Sequence, residues 1–173
     1  AESDRRGSQM SQASRNDDET ESKYARNFVT EDLMPPPPPG WLEAMEEQEQ
    51  EGRILDRTML LGIMDSIVPG CPLFAGCEIL WGLPGGKPVD IEIPHTHDFD
   101  EVIGFVGTNR NYPRELGGEI EFLIGGERHT ITKTCLIHVP KGVEHCPVTF
   151  KRIDTPIVMF EAAADPNYKR VLE

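Results

Sequence analysis

From about residue 53 onward, turn residues cut the chain into short runs of branched and aromatic side chains, a pattern that restricts the chain to an all-β architecture. RILDRTMLL, CEILWGL, VDIEIPHTH, DEVIGFVG, EIEFLIG, RHTIT, CLIHVP, CPVTF and TPIVMFEA are separated by VPG, PGGKP, GTNRNYPRELGG, IGGER and PKG. Runs this short are strand-sized, and their side chains suit a pleated, half-buried surface. Gly125-Gly126 between EIEFLI and ERHTIT predicts a tight hairpin. Many short antiparallel strands at this spacing close into a jelly roll or a barrel.

The first fifty residues read differently. Residues 1–34 are polar and acidic with no hydrophobic period, so they predict an extended or disordered tail that cannot offset its ordering entropy by burial. Residues 35–52 open with five prolines, a stiff polyproline II spacer. No basic residue flanks those prolines, so an arm packed on its own barrel or on a dimer mate, anchored by Trp41, is preferred to an SH3-type ligand. WLEAMEEQEQE (41–51) then predicts one short amphipathic helix with an apolar cluster at 41, 42 and 45, ending at Gly52. The barrel is expected over 53–168.

Charge narrows the partners. Residues 1–51 hold 13 Asp and Glu against 5 Lys and Arg, a net of −8, which leaves −5 of the total −13 for the remaining 122 residues. A negative chain without a basic run argues against nucleic acid and against anionic membrane surfaces. No stretch approaches the ~18–20 apolar residues needed to span a bilayer, and the first thirty residues hold no apolar signal core, so a cytoplasmic location is expected. Cys71, Cys77, Cys135 and Cys146 form no C-x-x-C pair and read as free thiols. Strand alternation would turn Cys146 away from whatever His145 faces.

The chemistry concentrates at 94–101, Pro-His-Thr-His-Asp-Phe-Asp-Glu. On a continuous strand, His95, His97 and Glu101 share a parity and point to one side. A fourth imidazole from a second strand would complete a shell of nitrogen and oxygen donors suited to a first-row divalent metal. That imidazole is on offer at Pro140-Lys-Gly-Val-Glu-His145.

HTHDFDEVIGFVG (95–107) and PKGVEH (140–145) together resemble the two signature motifs of the cupin superfamily. The likeness covers about residues 55–165, with departures at turn positions (Val89, Thr108, Thr134) and at Thr149. It implies a jelly-roll β-barrel, with the N-terminal arm and one short helix outside it, holding one metal through His95, His97, Glu101 and His145. Fe(II) is the favoured ion, with Mn, Ni, Zn and Cu as alternatives, and Glu101 is also the candidate catalytic group. The same parity places Phe99, Ile103 and Phe105 on the ligand side, with Phe122 and Met159 expected on the opposite wall of an apolar substrate pocket. His129 reads as a surface residue, and His138 is the replacement ligand if the set differs. Tyr112, Arg114 and Glu115 lie on the connection between the motifs, either at a barrel mouth or simply in solvent.

Two classes of function follow. In one, the metal does chemistry on a small organic acid, phenol or ketone, as a non-haem Fe(II) dioxygenase or as a lyase, decarboxylase or isomerase working without O₂. In the other, the barrel only binds a ligand. A homodimer is expected from the arm and Trp41.

Overall fold

The computed structural model describes residues 23–31, 33, 37 and 40–171. Most of the expected acidic tail and of the polyproline spacer falls outside the described residues. No helix among the described residues is long and apolar enough to cross a membrane.

Helix α1 spans Trp41–Gln50. It starts where the Gly40 N–H donates to the Glu43 carboxylate (2.9 Å), and stops at Gly52, whose φ of 70° leaves the helical region. Its docking depends on one residue of the charged run. Gln48 is buried and grips the backbone of Asp90 twice, its amide donating to the Asp90 carbonyl (2.7 Å) and accepting from the Asp90 N–H (2.9 Å). Trp41 lies under the Arg57 guanidinium, 4.9 Å from its ring centre, a cation–π contact onto the chain's own barrel.

Nine strands follow among the described residues: β1 (Asp56–Ile63), β2 (Phe74–Gly82), β3 (Val89–Ile91), β4 (Glu101–Gly107), β5 (Glu115–Ile124), β6 (Glu127–Lys133), β7 (Cys135–Val139), β8 (His145–Ile153) and β9 (Ile157–Ala163). They form two sheets, β1-β2-β9-β4-β7 and β3-β8-β5-β6. All the strand pairs are antiparallel, and 2 pairs with 9, 3 with 8, 4 with 7 and 5 with 6. Those four pairings are the rungs of one long hairpin rolled onto itself, which is a jelly roll; β1 extends its first sheet. The hairpin tip is Gly125-Gly126, where φ values of 57° and 79° close a two-residue loop between Ile124 and Glu127.

Inward positions fill the space between the sheets. Leu80, Phe105, Leu116, Ile120, Phe122, Phe150 and Ile157 are essentially inaccessible, and Phe105 meets Phe150 edge-on at 6.2 Å. A second, smaller cluster of Met64, Phe74, Phe99 and Ala163 gathers at the end where β4 begins. Between the two lies a buried polar layer.

Candidate metal centre

That layer is His95, His97, Glu101 and His145, each 2% exposed or less. The strand expected to carry the first three does not run through. β3 ends at Ile91, Glu92 takes a φ of 62° and Pro94 follows, so 92–100 is a loop rather than a ladder. The residues converge because the loop is stitched to the second motif. His95 and His145 exchange backbone hydrogen bonds (3.2 and 3.1 Å), and the Gly142 N–H donates to the His97 carbonyl (2.9 Å). Gly142 can do so because its φ of 74° turns the Pro140-Lys-Gly corner back towards the loop. Asp100 fastens the same corner by accepting the Lys141 N–H at 3.0 Å.

Each imidazole is then fixed by its own backbone. His95 Nδ1 lies 2.8 Å from the Ile93 carbonyl, His97 Nδ1 2.7 Å from that of Phe99, and His145 Nδ1 3.0 Å from that of Val143. A carbonyl oxygen only accepts, so each Nδ1 carries a proton and Nε2 is the nitrogen that each ring turns to a ligand. His95 Nε2 and His145 Nε2 are buried without a hydrogen-bond partner among the described residues. His97 Nε2 stands 3.1 Å from Glu101 Oε2, and His145 Nε2 approaches the same oxygen to 3.3 Å without hydrogen-bond alignment. A divalent cation among these atoms would satisfy them together. Locking the far nitrogen to a carbonyl is also how metal-binding histidines are oriented. The donor set therefore fits a first-row divalent ion.

The donors are not one tight group. Ligand atoms of His97, Glu101 and His145 lie within 4.8 Å of one another, and His95 joins His145 in a second triple whose third member is Cys146. The expected outward turn of Cys146 does not occur: its φ of 73° breaks the strand's parity, so both it and His145 turn inward. Burial, with Glu92 and Glu101 nearby, pushes its thiol well above the ordinary range, which keeps it protonated and a poor ligand.

Electrostatics follow from burial and from these contacts. Burial lowers His95 to about 4, so its ring stays neutral through the physiological range. Burial alone would raise Glu101, but its neighbours His145, Tyr168 and His97 outweigh that and hold the carboxyl below its ordinary value. Farther along the inner wall, burial raises Glu78, which faces Arg57 at 3.5 Å. It raises Glu161 more strongly, with Glu101 and Glu92 adding to the effect.

The proposed pocket residues divide. Phe99 stacks on His97 with ring centres 4.2 Å apart and planes 7° from parallel. Ile103 and Met159 are buried in the main core, and Phe105 and Phe122 lie deeper in it. The connection bearing Tyr112, Arg114 and Glu115 leaves β4 after Gly107, roughly 20 Å along the strand from Glu101 at 3.3 Å per residue. It is exposed and belongs to the other end of the barrel. His138 also faces outward, 3.3 Å from Asp100, and His129 pairs with Glu127 at the surface. Neither comes near the buried imidazoles.

Four further residues of the site, Tyr168, Arg170, Glu92 and Glu161, were not foreseen from the sequence. Tyr168 donates to Glu101 Oε1 at 2.7 Å, Arg170 pairs with Glu92, and Glu161 has the inward parity of Ile157, Met159 and Ala163 on β9. Of these, only the Glu161 parity could have been found in the sequence.

Neither a protein-family model nor a curated relative matches the chain. Solved structures of similar shape exist. One is KdgF from Halomonas sp., 16% identical, covering 64% of this chain and 78% of its own, with a TM-score of 0.38. Recombinant oxalate oxidase in complex with glycolate is 14% identical, with coverage of 88% and 66% and a TM-score of 0.49. The cupin domain of Schizosaccharomyces pombe Cnp3 is 10% identical, with coverage of 65% and 68% and a TM-score of 0.43. Likenesses this distant decide nothing about ligand or reaction. The strand pairing itself defines the fold: the chain is a jelly roll, with a cluster of histidines and a glutamate able to hold a metal.

Proposed function

We propose that the chain is a metal-dependent enzyme holding one divalent ion on His95, His97, Glu101 and His145. The observation that carries this reading is the approach of His97 Nε2 and His145 Nε2 to Glu101 Oε2 (3.1 and 3.3 Å), with His95 Nε2 buried and unpartnered among the described residues and every Nδ1 already committed to a carbonyl. The favoured reaction is a non-haem Fe(II) dioxygenation of a small organic acid, phenol or ketone. The alternative is a lyase, decarboxylase or isomerase acting on the same classes without O₂. When bound, the ion supplies Lewis acidity and, as Fe(II), a redox partner for O₂.

The protein's own contribution is preorganisation. The Ile93, Phe99 and Val143 carbonyls hold the three rings in one tautomer, and the Tyr168 hydroxyl holds one oxygen of Glu101. Phe74, Phe99 and Tyr168 pack their rings together beside His97. Glu161 has the inward parity of β9, and burial raises its carboxyl. Anaerobic assays decide between the two reactions. An oxygenase gives no turnover without O₂, whereas full anaerobic turnover with Zn, Ni or Co selects the lyase, decarboxylase or isomerase. Protein that holds its metal but turns over no candidate substrate points to a binding module. The homodimer expected from Trp41 and the arm belongs to the same reading, and a monomer mass by light scattering at micromolar concentration removes it.

A further inference from the structure

The segment after β9 does not leave the barrel. The Ala164 N–H donates to the Asp100 carbonyl (3.3 Å), the Asp65 N–H to that of Pro166 (3.1 Å), and Val171 exchanges two backbone hydrogen bonds with Thr96 (3.1 and 2.8 Å). Arg170 adds an ion pair to Glu92. These ties draw residues 164–171 as a strap across the end of the barrel that holds His95, His97 and Glu101.

Tyr168 sits at the middle of the strap with a φ of 50°. A bulky aromatic rarely adopts the left-handed region, and such backbone persists where its surroundings dictate it, often at functional sites. Here the surroundings are Phe74 at 4.5 Å between ring centres, Phe99 at 5.7 Å and His97 at 6.3 Å. The ring's position aims the hydroxyl at Glu101 Oε1, 2.7 Å away, and leaves Oε2 as the oxygen that faces His97 and His145. A carboxylate can offer a metal one oxygen or two. With Oε1 engaged by a phenol, it offers one, in one orientation.

We infer that Tyr168 is a positioning residue of the metal centre, which selects Oε2 of Glu101 as the single coordinating oxygen, and that the strap carrying it is a wall of the site. This rests on the metal reading above.

The test is a Co(II) titration of the metal-free full chain, followed by its visible absorption, for wild type, Tyr168→Phe and Tyr168→Leu. Tyr168→Phe keeps the ring contacts and loses only the hydroxyl. Its Co(II) affinity should fall about 10- to 100-fold, the usual loss when a partner of a metal ligand is removed. Its Co(II) absorption bands should change shape as Glu101 is freed to rotate, while the metal-free variant still folds, with a modest loss of stability for the missing hydrogen bond. Tyr168→Leu should lose at least as much affinity. If Tyr168→Phe matches wild type in both affinity and spectrum, the positioning role is wrong and the metal reading stands. The positioning role is equally wrong if only Tyr168→Leu weakens binding, because the ring would then matter and not its hydroxyl. A wild type that binds no Co(II) overturns both.

Discussion

The two ends of this barrel are built from the same strands and do opposite work. Along β4, Glu101 gives way to Ile103 and Phe105; along β9, Glu161 gives way to Met159 and Ile157; along β2, Glu78 gives way to Leu80. The register sets Glu101 against Ala163, Glu161 against Ile103 and Glu78 against Met159, so the polar positions run from the Glu101 end only as far as the middle of the sheet, and none reaches Ile157. The far end is a close-packed apolar core that stabilises the fold, whereas the near end buries four ionisable side chains that a core would not choose. Burying polar groups costs free energy unless they are paired. The core therefore carries the cost of holding the site in shape, and a cation at the site would return part of it.

The contrast predicts which changes hurt stability and which hurt the site. Phe105→Ala removes a side chain with no exposure and should cost about 3–5 kcal/mol of unfolding free energy by denaturant titration. Metal bound per folded chain should not change. A loss of metal without a loss of stability would erase the distinction between the ends.

Acidity probes the other end. His95 is lowered to about 4 in the folded chain from an ordinary 6.5, so between those pH values the unfolded chain binds a proton that the folded chain does not. Metal-free wild type should therefore lose stability as pH falls from 6.5 towards 4, relative to His95→Gln. The difference is of order 3 kcal/mol at 1.36 kcal/mol per unit. The raised Glu78, Glu92 and Glu161 act in the opposite direction in both proteins and cancel in the comparison. Parallel curves for the two proteins would mean that His95 is not held neutral by burial.

Metal addition should then stabilise what burial made costly. At a hundredfold excess over Kd, linkage supplies about 2.7 kcal/mol, which for a chain of this size raises Tm by roughly 5–10 °C. His97→Ala should abolish that shift. His138→Ala is the smallest effect: with its ring exposed and paired only to Asp100 at the surface, it should leave Tm and metal content unchanged. Metal loss in that variant would bring His138 back as a ligand.

Much of the fold was legible from the sequence because its signals are local. Each of the nine strands overlaps a run of branched residues, the helix begins at Trp41 as expected, and the Gly125-Gly126 loop falls at the hairpin tip. That His95, His97, Glu101 and His145 belong to one buried layer was readable from their motifs, although an unbroken strand is not what places them there. A positive φ at Glu92 and at Cys146 resets the parity locally, and no periodicity detects that. Tyr168 and Arg170 were invisible for a different reason. The first meets its partner across 67 residues and the second across 78, and a polar tail carries no mark of where it will fold back. The loop at 108–114 was placed at neither end by its composition; only the direction of β4 sends it away from the site.

Metal content tests most directly whether the polar end is a metal centre. Wild type and His97→Ala, purified in parallel without chelator and analysed for bound metal, should differ. We predict close to one divalent ion per wild-type chain and almost none in the variant, with both proteins folded. Equal metal in the two, or none in wild type after loading with Fe(II), would contradict a metal centre at this end of the barrel.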